Sequence, residues 1–193
     1  MSSKTPEETE QIARPASSRL CASEMTTAKV GDDHYFVVAG RRWRRTDPHL
    51  PASLRTQLTK ELMSARRAVK FALAAADDEQ LKHARARVDD AKVALGERGP
   101  KWWLPYDKGG LEKRLKGATR ALLRQRDVDK SICPSEVARI VAGDEWREQM
   151  PRMLEIAWQL ESEGWLQVTR KGVPVSHPTR GPIRLRRTEA EQL

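Results

Sequence analysis

The 193-residue chain is short of cysteine, histidine and long apolar runs, and each shortage excludes a class of protein. Its two cysteines, Cys21 and Cys133, belong to no CxxC or Cys/His spacing. A disulfide framework and a zinc site are therefore excluded as organising features. Cys133 stands just before a helix start and reads as a small apolar filler. The four histidines, His34, His49, His83 and His177, are scattered and read as surface residues, without the HExxH or paired spacing of a metal or general-base site. No glycine-rich phosphate loop and no GxSxG nucleophile elbow occurs. Asp77-Asp78 and Asp89-Asp90 read as solvated or Lys/Arg-bridged helix surface and not as a catalytic pair. No run approaches the roughly 18 apolar residues of a membrane span, and the first thirty residues lack the apolar region of a secretory signal. These absences set the expectation of a non-enzymatic protein in the cytoplasm, with no catalytic residue, no cofactor and no metal.

What is abundant is positive charge. Formal net charge is +9, with 33% charged and 38% apolar residues. That apolar share is low for one large core and adequate for two small helical ones. The basic excess favours polyanions: DNA, RNA or anionic lipid.

Residues 1–30 are rich in Ser, Thr, Glu and Ala without periodicity and read as a disordered tail. His34 to Arg45 is β-prone around Ala39-Gly40, a hairpin signal in which Ala fits the first left-handed turn position poorly. Leu54, Leu58, Leu62, Ala65, Val69 and Leu73 then form an apolar stripe, and Leu81, Ala84, Val88, Ala91 and Leu95 a heptad seam. The Ala75–Asp78 connection, with Asp77 as cap and Gln80 as its box partner, predicts an antiparallel αα-hairpin. Gly96, Gly99 and Pro100 end it. Trp102 and Trp103 are read as docking on the hairpin core. A domain over residues 34–103 follows, with a linker at 104–110 marked by Pro105 and Gly109-Gly110.

Leu111 to Arg126 predicts a basic amphipathic helix. Pro134 opens a short helix to about Val141, with Ser131 or Cys133 as its cap. Ala142-Gly143-Asp144 is a helix–turn–helix connection. A third helix is expected from Glu145 to Glu163, stopped by Gly164, with Trp165 folding back on the core. Trp165–Arg170 and Gly181–Arg187 are β-prone, with Lys171-Gly172 as a turn. The expected fold is mainly α with small β: an N-terminal β-hairpin and antiparallel αα-hairpin, then a winged helix-turn-helix over residues 111–187 and a tail at 188–193.

Pro134, Val137, Ala138, Trp146, Arg147, Met150, Pro151, Gly164, Thr169, Gly172 and the Gly181-Pro182-Ile183-Arg184 ending resemble a bacterial family of uncharacterised winged-helix domains. The first half resembles a second uncharacterised bacterial family, sometimes labelled "biopolymer transporter Tol". Its motifs here are Gly40-Arg41-Arg42-Trp43-Arg44 with Thr46-Asp47-Pro48, Glu61-Leu62-Met63 with Ala65-Arg66-Arg67, and Ala91 to Gly99. The resemblances cover about three quarters of the chain. They imply the fold and bring no established activity or site residues.

A winged helix makes nucleic acid the leading partner, DNA before others. The third helix carries Glu145, Glu148, Glu155, Glu161 and Glu163 against Arg147 and Arg152, so major-groove docking meets repulsion. Arg147, Gln149 and Arg152 are the candidates at its start. Phosphate contacts are expected mainly from the wing (Arg170, Lys171, Arg184, Arg186 and Arg187, with Arg180 nearby) and from Lys113 and Arg120 of the first helix. Lys116, Arg124 and Arg126 belong to the same basic helix, and Arg114 with them. A second basic zone comprises Arg41, Arg42, Arg44 and Arg45 around Trp43, which is read as core, and Arg55, Lys60, Arg66, Arg67 and Lys70. The alternative is a protein–protein adaptor using the acidic residues 145–163 and the helical hairpin. A basic face joining wing and first helix would favour nucleic acid, and an exposed apolar patch on the hairpin would favour the adaptor. Oligomeric state is left open.

Overall fold

The structure, a computed structural model, describes residues 33–188. The tail expected over residues 1–30, with Cys21, lies outside the described residues, as does the tail beyond Thr188.

Strands β1 (Tyr35–Val38) and β2 (Arg41–Arg44) pair antiparallel with Val38 opposite Arg41. The two-residue turn sets Ala39 at φ 49° and Gly40 at φ 73°. Both values are those of the turn that matches strand twist, and Ala39 holds its value without the ease of Gly or Asn.

Helix α1 (Ala52–Ala75) and helix α2 (Asp78–Ala94) form the antiparallel hairpin. Asp77 caps α2 by accepting from the Gln80 N–H at 2.9 Å. Leu54, Leu58, Leu62 and Ala65 of α1 and Ala84 and Ala91 of α2 are buried. The stripe departs from expectation at its end: Leu73 is exposed and Ala72 is buried instead. At about 100° per residue, Ala72 returns to the azimuth of Leu54, whereas Leu73 has turned about 100° past it. Gly96, at φ 78°, reverses the chain where an added Cβ would lie 2.7 Å from the Trp102 ring. Trp102 and Trp103 dock beside this turn, with His34 stacked on Trp103 at 4.1 Å between centroids and the Trp102 indole N–H donated to the Arg45 carbonyl.

Helix α3 (Lys108–Gln125) starts three residues before the expected Leu111, because Asp107 caps it by accepting from the Gly110 N–H. The expected linker residues Gly109 and Gly110 thus lie in its first turn. The helix packs on α1 and α2 and also on α4 and α5. A single cluster joins Leu54 and Leu58 to Leu115, Leu122, Ile140, Met153 and Leu185, so the core is continuous between the hairpin and the winged helix.

Strand β3 (Ser131–Ile132) leads into α4 (Pro134–Ala142), whose cap residue is Cys133. The Glu136 carboxylate accepts from the Cys133 N–H at 2.7 Å, and the Ser135 hydroxyl donates to Cys133 Sγ. A 3₁₀ turn (Gly143–Glu145) precedes α5 (Met150–Ser162). The third helix was expected from Glu145 and begins five residues later. Pro151 has no N–H and can occupy a first turn, whereas a helix from Glu145 would put it deeper and remove a hydrogen bond. Strands β4 (Leu166–Arg170), β5 (Val173–Pro174) and β6 (Arg184–Arg187) complete a sheet in the order β3-β6-β4-β5. The fold is mainly helical, with an N-terminal β-hairpin and αα-hairpin followed by a winged-helix-like C-terminal part.

Candidate nucleic-acid interface

Antiparallel pairing decides which wing cations share a face. Arg186 lies opposite both Ser131 and Gln167, and Arg184 opposite Thr169. Side chains alternate along a strand, so Arg184, Arg186, Gln167 and Ser131 stand on one face. Leu166, Val168, Ile132 and Leu185 fill the other and are buried. Among the described residues, Arg184 and Arg186 are exposed and make no ion pair, and Arg186 donates to the Val128 carbonyl at 3.3 Å. They border a shallow groove of about 360 Å³ that Lys171 and Asp129 also line. Arg187 belongs to the opposite face, beside Leu166, and is half-buried. Arg170 is exposed, with its guanidinium packed near Gly181, and Arg180 is exposed.

Helix α3 is different. Arg114 is fully buried, donating to Asp47 at 2.7 Å, to the Ala94 carbonyl at 3.3 Å and to the Tyr106 hydroxyl. Lys116 bridges Glu112 at 3.1 Å and Glu163 at 3.2 Å. Arg120 reaches Glu163 at 3.6 Å and Asp90 at 3.9 Å and lies 4.0 Å from the Trp165 ring centroid. Arg124 bonds Asp90 at 2.7 Å. Burial pushes the Asp90 carboxyl above its ordinary value, against the opposing pull of Arg124. The cause of this engagement is packing: with helices on two sides, α3 brings its cations against carboxylates of other elements. Among the described residues, Lys113 is the one α3 site candidate that is exposed and without an ion pair. A basic face joining wing and α3 is therefore reduced to the wing and Lys113.

The third helix changes meaning in the same way. Arg152 is held by Glu112 at 2.7 Å and Glu155 at 2.5 Å. The Glu161 carboxylate accepts from the Val168 N–H, and Glu163 takes Lys116 and Arg120. Glu155 and Glu163 are thus ion-paired within the fold, and Glu161 is held by a backbone N–H. Lys116 holds the Glu112 carboxyl below its usual range, with Arg152 adding to the effect.

Arg147 and Gln149 lie in the turn before α5 and not on it. Arg147 is exposed and sits 4.6 Å from the Trp146 ring, and Arg139 of α4 sits 4.7 Å from the same ring. The Arg139 contact was missed in the sequence because only the turn between α4 and α5 brings these residues together. Gln167 was also missed, although its alternation with Leu166 and Val168 is the available signal. Trp43, expected in the core, is 38% exposed, with the Lys92 ammonium 5.0 Å from its ring centroid. The two-stranded hairpin stands off α1, leaving a groove of about 550 Å³ beside Trp43, Thr59 and Met63.

Among the described residues no group of three or more His, Cys, Asp and Glu could hold a metal ion, and no helix is long and apolar enough to cross a membrane. The family described as Protein of unknown function (DUF3253) matches residues 112–188, from the first turns of α3 through β6. Comparison with curated proteins gives no match.

Proposed function

We propose that the chain binds nucleic acid, duplex DNA first, through phosphate contacts made by its wing, and that it acts by binding and not by catalysis. One observation carries this reading. Residues 166–188 contain Arg170, Lys171, Arg180, Arg184, Arg186 and Arg187 and no carboxylate. Arg184 and Arg186 share an exposed sheet face and have no ion-pair partner among the described residues. Such cations release counterions from a phosphate backbone, which makes binding salt-dependent and weakly sequence-specific. Arg147 and Lys113 supplement the wing. Arg120 and Arg152, engaged by carboxylates, do not. The residues that resemble uncharacterised bacterial winged-helix domains, Ser131 to Arg187, lie within the segment that the family model matches, residues 112–188.

The test is a fluorescence-anisotropy titration of the full chain with random-sequence duplex DNA across salt concentrations. Affinity should fall steeply with salt. Absence of binding at low salt, or a flat salt response, overturns the reading. A second reading, the protein adaptor, has one observation in its favour: Phe71 and Leu73 are exposed near the end of α1. Its acidic helix is less available than the sequence suggested, because Glu155, Glu161 and Glu163 have partners within the fold.

A further inference from the structure

Helix α1 contains Arg55, Lys60, Arg66, Arg67 and Lys70 and a single carboxylate, Glu61. That carboxylate is fully buried and held by Arg87 through two hydrogen bonds at 2.9 and 3.1 Å. It offsets none of the outward charge. At about 100° per residue the five cations occupy about 140° of the helix perimeter, opposite the buried Leu54–Leu58–Leu62 stripe. Arg55 is anchored on the Pro48 carbonyl at 3.1 Å. Lys60, Arg66, Arg67 and Lys70 are exposed and make no ion pair with any described residue.

This arrangement opposes helix stability. Arg66 and Lys70 are like charges four residues apart, and Arg67 and Lys70 three apart, spacings that destabilise a helix. Helix α2, packed beside it, shows the alternative: Asp78, Glu79, Asp89 and Asp90 balance Lys82, Arg85, Arg87 and Lys92. The adjoining β-hairpin extends the positive charge, since Arg41 and Arg45 are exposed, and Arg66 borders the same groove as Arg44 and Lys92, with Glu97 the carboxylate of its lining.

We propose that the outer face of α1, with Lys60, Arg66, Arg67 and Lys70, is a second phosphate-backbone surface for duplex DNA, independent of the wing. Lys60 to Lys70 spans about 15 Å of helix, against a duplex that presents one charge per about 1.7 Å of its axis. A membrane surface fits less well. An interfacial helix must offer its apolar face to lipid, and the apolar stripe of α1 is buried in the core, with Phe71 and Leu73 near its end exposed. With the wing, the chain has two cationic surfaces that share no residue.

The test uses the full chain and a random-sequence duplex, titrated across salt concentrations. Three forms are compared: wild type, Lys60→Gln/Arg67→Gln/Lys70→Gln, and the wing variant Arg184→Glu/Arg186→Glu. Circular dichroism and thermal melting establish that each is folded, and neutral glutamines keep α1 helical. The α1 variant should lose more than about tenfold in affinity at 0.1 M salt, with a salt slope shallower by about three. A folded α1 variant with wild-type affinity and slope overturns this proposal. If only the wing variant then weakens, the wing reading stands alone; if only the α1 variant weakens, the wing reading fails and this one holds. A flat response to DNA from all three forms, with binding to an acidic protein, overturns both.

Discussion

Helix α3 and the wing each carry six cations, yet the fold uses them in opposite ways. In α3, Lys108, Lys113, Arg114, Lys116, Arg120 and Arg124 surround a helix buried on two sides. Four of them meet carboxylates: Asp47, Glu112, Asp90 and Glu163. In residues 166–188 the same number of cations sits on β4, on β6 and on the chain between them, with no carboxylate in the segment. The number of positive charges therefore says little about binding; the location of the counter-charge decides it. A cation already paired gains less from a phosphate, because its carboxylate must first be displaced.

The largest effect that tests this comparison is on stability. Arg114→Met leaves Asp47 buried with its main cationic partner gone, and it should destabilise the fold by about 3–5 kcal/mol, read as a lowered urea midpoint. Arg184→Glu/Arg186→Glu should stay within about 0.5 kcal/mol of wild type in the same experiment. An unchanged midpoint for Arg114→Met would break the distinction between the two regions.

Next in size is the effect on affinity. Arg184→Glu/Arg186→Glu should weaken duplex binding by about tenfold or more at 0.1 M salt, with a salt slope shallower by about two. Arg120→Gln should leave the slope near that of wild type, because Glu163 and Asp90 already hold this guanidinium. A slope that changes more for Arg120→Gln than for the wing pair would reverse the assignment.

This division was only half legible in the sequence. Helix α4 could be read locally, since Pro134 fixes its start and Gly143 its end. The start of α5 could not, because Trp146 stands four residues before Met150, in step with the apolar face of α5, and only the position of Pro151 argues otherwise. The α3 cations were read as a binding face because their partners are remote: Asp47 lies 67 residues from Arg114, Glu163 47 from Lys116 and Asp90 34 from Arg124. Charge pairing at such separations is tertiary information, and helical periodicity does not contain it. The wing was legible for the converse reason. A segment without carboxylates, alternating on a strand, leaves Arg184 and Arg186 outward, while Arg187 turns to the face of Leu166 and is half-buried.

A smaller effect follows from Glu112, which ties α3 to α5 through Lys116 and Arg152. Its carboxyl is held below the usual range in the folded protein. The stability it contributes is therefore present above the ordinary carboxylate pKa and is lost as pH falls through the lowered folded value. Glu112→Gln should lower stability by about 1 kcal/mol or less near neutrality, given the partly exposed pairs. The difference from wild type should vanish in acid. A pH-independent difference in thermal midpoint would show that Glu112 acts through packing and not through charge.

The smallest expected effect sets stability against binding at one residue. Lys171 holds φ 50° at the first position of the β4–β5 turn, followed by Gly172 at φ 83°. Asn occupies that left-handed conformation several-fold more readily than lysine, because its short polar side chain bonds locally. Lys171→Asn should stabilise the protein by about 0.5 kcal/mol and at the same time weaken duplex binding, with a salt slope shallower by about one. The turn at Ala39-Gly40 is the control, with the same geometry and no charge at its first residue. Ala39→Asn should give a similar gain in thermal midpoint and leave the salt slope unchanged. Equal effects of both substitutions on DNA binding would mean that turn geometry, and not the Lys171 ammonium, governs the interaction. Opposite signs at Lys171 alone would mean that the wing tip keeps a strained lysine for the contact it makes.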